Sequence, residues 1–263
     1  MNLQAKRIVI TGASRGIGAD LARQFASRGG RVALVARSAE AIEKLAADLG
    51  GDAYPCDLGD RVARDGLVAR LEADGPIDVL VNNAGLLDTT DFVAEDAASI
   101  DAILDVNLHA PIQLSRAVLP AMLARGSGHI VDISSLAGST CLPGIAVYGA
   151  TKAGLSHFGG YLRAELAGTG VSSTIVELGP VDNEMGNSLD DHGPMHRSLE
   201  RLRTMKLAVT LPPDRVARAI VRAVERDANY LRMPKRAALF PVITTLPRQI
   251  GRALLAGVDQ SPS

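Results

Sequence analysis

The sequence predicts a single doubly wound α/β domain, a parallel sheet with helices on both faces. Three observations carry that prediction. Short apolar runs that lack polar alternation trade places with amphipathic stretches from the first residues onward, as strands covered on both faces do. A glycine-rich turn, TGASRGIG at 11–18, stands between the first apolar run and the first amphipathic stretch. The 263 residues fit one large α/β domain better than two, and no Pro-, Gly- or Ser-rich linker or internal repeat divides them.

In chain order, the predicted strands are RIVIT (7–11), RVALVA (31–36), DAYPC (52–56), DVLVN (78–82), HIVDIS (129–134) and SSTIVEL (172–178). The predicted helices are 16–28, 39–49, 60–74, 96–125, 148–167 and about 213–227. The first carries Ile17, Leu21 and Phe25 on one stripe. Residues 183–210 are polar, dotted with Met, and read as irregular. They follow the carboxyl end of a strand, where ligands bind in such sheets, and are expected to form a substrate lid. Residues 1–235 then make a Rossmann-type nucleotide-binding and catalytic domain, and 236–263 an amphipathic extension.

Composition narrows the function. The net charge is −1, with no long run of one sign before residue 230, which argues against nucleic acid as the main partner. Cys56 and Cys141 lie far apart and fit no metal or disulfide spacing, so they read as thiols of a reducing cytosol. The first apolar run is too short for a signal peptide, and none reaches the roughly 18 uninterrupted apolar residues of a membrane span. The expectation is a soluble, cytoplasmic protein.

The turn at 11–18 places Gly12, Gly16 and Gly18 at GxxxGxG spacing. Glycines there let the backbone approach a pyrophosphate, and the helix N-terminus supplies N–H groups and a favourable dipole. The second strand ends LVARS, with Arg37 roughly twenty residues on and no acid before Glu40. An acid there would suit NAD; arginine suits the 2′-phosphate of NADP, and Arg15 inside the turn reaches for the same group. The expected cofactor is NADP(H). Asp57 ends the third strand, placed to accept from an adenine amino group. NNAG (82–85) ends the fourth, with small residues that leave room for the nucleotide.

YGATK (148–152) sets Tyr148 four residues before Lys152 on one predicted helix. A free tyrosine has a pKa near 10, and an ammonium beside it is expected to bring that value down toward a useful range. Ser134 and Ser135 end the fifth strand, where a hydroxyl can bond a carbonyl oxygen. Asn107 interrupts a helical stretch it does not favour, so a kinked helix with an exposed carbonyl and a bound water is expected there.

TGASRGIG, NNAG, Asn107, ISS and YGATK, in this order and at these distances, resemble the short-chain dehydrogenase/reductase family over roughly residues 5–185. The resemblance selects Ser135 over Ser134. It implies Tyr148 as general acid/base, Lys152 lowering its pKa and binding the nicotinamide ribose, Ser135 positioning the carbonyl and Asn107 holding a relay water. The cofactor-binding set it implies is Gly12, Ser14, Arg15, Gly16, Ile17, Gly18, Arg37, Asp57, Leu58, Asn83, Ala84, Gly85, Tyr148, Lys152, Gly179, Val181 and Asn183. ELGPVDNEM departs from the family pattern: Leu178 stands in place of proline, and Asn183 in place of threonine. The resemblance also implies a homodimer or homotetramer through the helices near 108–125 and 148–167.

His192 and His196 lie near Asp190 and Asp191, but Gly193-Pro194 is expected to break any helix that would align them. A solvated lid is expected and no metal. Leu239, Ile243, Leu246, Ile250 and Leu254 form a stripe in the extension, flanked by Arg232, Lys235, Arg236, Arg248 and Arg252. Such a segment lies on a membrane surface through 236–256, or packs on the substrate mouth or a partner subunit. An apolar tail beside a Met-bearing lid favours a hydrophobic carbonyl or alcohol substrate. Two alternatives stand beside a carbonyl reductase: a 3-oxoacyl thioester reductase that receives a carrier protein through Arg197, Arg201 and Arg203, and a non-catalytic NADP-binding redox sensor.

Overall fold

A computed structural model describes residues 1–236. The predicted extension, its expected membrane contact through 236–256 included, lies outside the described residues apart from Arg236. Seven parallel strands form one sheet in the order β3-β2-β1-β4-β5-β6-β7. They are β1 (Arg7–Thr11), β2 (Arg31–Ala36), β3 (Asp52–Pro55), β4 (Val79–Asn82), β5 (Gly128–Ser135), β6 (Val171–Leu178) and β7 (Tyr230–Met233). The order reverses between β1 and β4, so their carboxyl ends part and leave the crevice in which such sheets bind ligands.

Consecutive residues of one strand feed opposite cores. Ile8 and Ile10 pack with Leu21, Phe25, Val216 and Ile220 on one face. Val9 packs on the other with Leu67, Leu80, Leu114 and Met122. This two-sided burial explains why β1 lacks polar alternation. The first core is roofed by α1 (Gly16–Ala26), α2 (Ala39–Leu49) and α10 (Pro213–Glu225). The second lies under α3 (Arg61–Asp65), α4 (Leu67–Ala73), α6 (Ala110–Arg125) and α7 (Ala146–Glu165).

Several sequence expectations change. The helix read at 60–74 is divided at Gly66 into α3 and α4. The stretch at 96–125 becomes α5 (Ala97–Leu104), a π-helical turn (Asp105–His109) and α6. β7, absent from the sequence reading, adds a four-residue parallel edge to β6. The region 183–210 is largely helical: α8 (Glu184–Asn187), a 3₁₀ turn (Ser188–Asp190) and α9 (Gly193–Thr204). Gly193-Pro194 opens α9 instead of breaking it, because proline in the first turn gives up no intrahelical bond. His192 caps this helix, its Nδ1 accepting from the Met195 amide at 3.3 Å. Its other nitrogen meets Asp91, while His196 pairs with Asp190, both at 3.1 Å. The two histidines therefore part. No helix among the described residues is long and apolar enough to cross a membrane.

Candidate active site

The glycine turn is built by close approach. A Cβ on Gly18 would stand 2.2 Å from the Gly12 carbonyl oxygen, and one on Gly12 would stand 2.8 Å from Ala84 Cα. Gly12 also has φ +66, which favours glycine. Arg15 occupies the N-cap of α1 without a side-chain cap bond, so the first amides of the helix keep their capacity for an anion. Thr11, which the sequence reading passed over, ties this turn to the next. Its Oγ1 accepts from the amides of Asn83 (2.9 Å) and Ala84 (3.0 Å), and Asn83 Nδ2 donates to the Thr11 carbonyl at 2.9 Å.

One cavity of about 1120 Å³ runs from this turn to the lid. Every residue in the expected cofactor and catalytic sets lines it except Asn107. Asp57 Oδ1 accepts from the Gly59 amide at 2.9 Å, which holds its carboxylate at the end of β3. Arg37 carries no ion pair among the described residues. Arg15 does: its guanidinium meets Glu184 at 2.5 Å. Asn183 caps α8, its Oδ1 accepting from the Gly186 amide at 2.8 Å, and Gly179 donates to the Met233 carbonyl at 2.8 Å. Val181 is bridged to Leu211, which closes the base of the lid.

At the other end, the two serines of β5 diverge, as successive residues of a strand must. Both line the cavity, but the Ser134 hydroxyl is committed to protein, its Oγ donating to the Lys152 carbonyl and paired with Ser156, both at 2.8 Å. Ser135 faces the cavity, its Oγ donating to the Leu178 carbonyl at 3.2 Å and accepting from the Ala137 amide at 3.1 Å. α7 sets Tyr148 and Lys152 one turn apart, with Nζ 5.6 Å from the ring centre. Burial pushes the Tyr148 phenol up, and a hydrogen bond with Ser135 opposes it. The expected lowering by Lys152 is therefore not the dominant effect here: desolvation of the phenolate outweighs it. Lys152 is itself buried, donates to the Ile133 carbonyl at 2.9 Å, and is pushed down to about 8 by desolvation, against the charge of Asp132.

Asn107 sits in the π turn, fully buried. The turn supplies the expected kink, but the side chain faces protein. Oδ1 accepts from the Leu86 amide at 2.7 Å, and Nδ2 donates to the Leu86 carbonyl at 2.8 Å and to Thr151 Oγ1 at 3.3 Å. It thus staples the loop after β4 to α7. Only long-range contacts reveal this role.

The remaining wall is apolar: Leu87, Leu142, Ile145, Leu189, Leu199 and Leu207. The charged side chains that line the cavity among the described residues are Arg15, Arg37, Asp57, Lys152 and Glu184, none of which belongs to this wall. Thr140 adds a buried hydroxyl without a hydrogen-bond partner among the described residues.

The family model described as short chain dehydrogenase matches residues 6–193. The chain belongs to this family. As a short-chain dehydrogenase it is an oxidoreductase, with 37% identity to the ketoacyl reductase HetN of Nostoc sp. over 98% of this chain and 88% of that protein. A metagenomic short-chain oxidoreductase solved in complex with NADP is 32% identical, with a TM-score of 0.71 over 88% of this chain and 98% of the other. The bulky-bulky ketone specific alcohol dehydrogenase of Comamonas testosteroni is 28% identical, with a TM-score of 0.76 over 100% of this chain and 98% of its own.

Proposed function

We propose that this protein is an NADP(H)-dependent carbonyl reductase or alcohol dehydrogenase acting on an apolar substrate. The observation that carries the reading is one cavity with the glycine turn at one end, Ser135, Tyr148 and Lys152 in the middle and an apolar wall beyond. The residues fit the cofactor. A glycine cradle that any Cβ would fill faces uncapped helix amides, and Arg15 and Arg37 offer two guanidiniums where NAD-type sites carry an acid. A relative solved with NADP supports the same choice.

Gly12, Ser14, Gly16, Ile17 and Gly18 hold the pyrophosphate, Arg15 and Arg37 the 2′-phosphate, and Asp57 and Leu58 the adenine. Asn83, Ala84 and Gly85 flank the nucleotide; Gly179, Val181 and Asn183 hold the carboxamide end. The bound nicotinamide supplies or accepts the hydride. In reduction, Ser135 orients the carbonyl oxygen and Tyr148 donates its proton to that oxygen as negative charge develops. Burial keeps the phenol protonated at neutral pH, the state a general acid needs. Lys152, held against the Ile133 carbonyl, presents its ammonium to the ribose and stabilises the phenolate left behind. Asn107 fixes the Leu86 loop and α7, and through the π turn anchors the water that returns the proton.

The test is NADPH oxidation across ketones graded in size and apolarity, with Tyr148→Phe as control. Turnover lost in the variant, with NADPH still bound, supports the reading; equal turnover in both proteins refutes it. A second reading, reduction of 3-oxoacyl groups on a carrier protein, is favoured by the ketoacyl reductase relative and by Arg197, Arg201 and Arg203 on α9. Turnover confined to carrier-bound thioesters would decide for it. Self-association through α6 and α7 is part of the proposal, measured by sedimentation.

A further inference from the structure

The glycine turn and the lid meet at one ion pair. Arg15, at the N-cap of α1, reaches across the cavity edge to Glu184, the first residue of α8, at 2.5 Å. Beside it, Asn183 Nδ2 lies 3.5 Å from the position a Cβ on Gly16 would take, so the two elements touch along a seam. Both charged side chains remain 73% exposed. Arg37, the other guanidinium on this part of the cavity, is unpaired among the described residues. One of the two arginines is therefore ready for an anion and the other is already engaged.

We infer that Glu184 tunes cofactor preference by competing with the 2′-phosphate of NADP for Arg15. The inference rests on the proposed role of Arg15. An exposed ion pair contributes little, whereas an arginine–phosphate contact is bidentate, charge-assisted and stronger. NADPH therefore takes Arg15 from Glu184, but it must first break that pair and leave an unpaired carboxylate beside its own phosphates. NADH has no 2′-phosphate, and the Arg15–Glu184 pair persists when it binds. Glu184 weakens NADPH selectively and narrows the margin between the two cofactors.

The test measures dissociation constants of NADPH and NADH from their own fluorescence; the chain has no tryptophan to interfere. Glu184→Gln keeps the shape and removes the charge. We expect NADPH to tighten about threefold to fivefold, the scale of one exposed ion pair, with NADH changed by less than about half that factor. In the Arg15→Ala background, the Glu184→Gln effect on NADPH should shrink to direct charge repulsion alone, because no ion pair remains to break. Weaker or unchanged NADPH binding in Glu184→Gln overturns the inference while leaving Arg15 in place. If Arg15→Ala itself leaves NADPH affinity intact, the role of Arg15 falls, and the inference falls with it.

Discussion

Replacing Asp132 with Asn should stabilise this protein at pH 8 and do little near pH 4. Asp132 lies on β5, wholly buried. Its Oδ1 accepts from Asn82 Nδ2 at 2.8 Å, while Oδ2 has no partner among the described residues. Burial pushes the carboxyl from 3.8 up to about 6, against the Asn82 bond and the charge of Lys152. The native state thus holds this proton more tightly than the unfolded chain does. Between about pH 4 and 6 it binds more protons, so stability falls as pH rises through that window and stays lower above it. A rise from 3.8 to about 6 corresponds to roughly 3 kcal/mol at pH 8. Asn keeps the acceptor for Asn82 and carries no charge, but it deprives Lys152 of its counter-charge. The net gain should be about 1–2 kcal/mol, a fraction of the full shift. Urea denaturation at pH 4, 6 and 8 reads it directly from the midpoints. A variant destabilised equally at pH 4 and pH 8 would refute the reasoning, because the carboxylate would then matter for its shape alone.

Three further outcomes follow from the site. Reductive kcat/KM should fall as pH rises through about 8, the value to which burial lowers Lys152; a pH–rate profile that stays flat to about pH 9.5, well past that value, would remove the lysine from the mechanism. Asn107→Ala leaves both backbone groups of Leu86 without their partner, at about 1–3 kcal/mol each. Calorimetry should show Tm lower by roughly 5–12 °C for a chain of this size, with kcat reduced as well. Gly18→Ala forces a methyl to within 2.2 Å of the Gly12 carbonyl oxygen; stability should drop by about 1–3 kcal/mol and NADPH titration should show affinity weakened about tenfold or more.

Much of the fold was legible because its signals are local. Ile8, Val9 and Ile10 form an unalternating run because each faces a core, and the glycines at 12, 16 and 18 occupy positions that a side chain would crowd or strain. Tyr148 and Lys152 share a helical face at a spacing visible in the string. What escaped depends on distant chain. Glu184 finds Arg15 from 169 residues away, Thr11 is met by Asn83 from the end of the neighbouring strand, 72 residues on, and β7 exists only because β6 offers an edge. At Gly193-Pro194 the local rule cuts both ways: proline stops a helix that precedes it and starts one that follows. The Tyr148–Lys152 spacing points to a lowered phenol, whereas burial, which no spacing reveals, has the larger effect and raises it.

The apolar wall facing Tyr148 has a consequence for selectivity. With no charged side chain among its described residues and the Thr140 hydroxyl as a lone polar addition, it has little means to accept one functional group and refuse another at a distance from the carbonyl. Its leucines and isoleucine weigh volume. A hydrophobic surface resolves neighbours in a homologous series by about 1–3 kcal/mol per methylene, so rates across a set of ketones should climb and decline smoothly with chain length. Such an enzyme has a preferred size and a graded shoulder of tolerated ones. A new activity then requires only the exchange of one leucine for a smaller or larger neighbour.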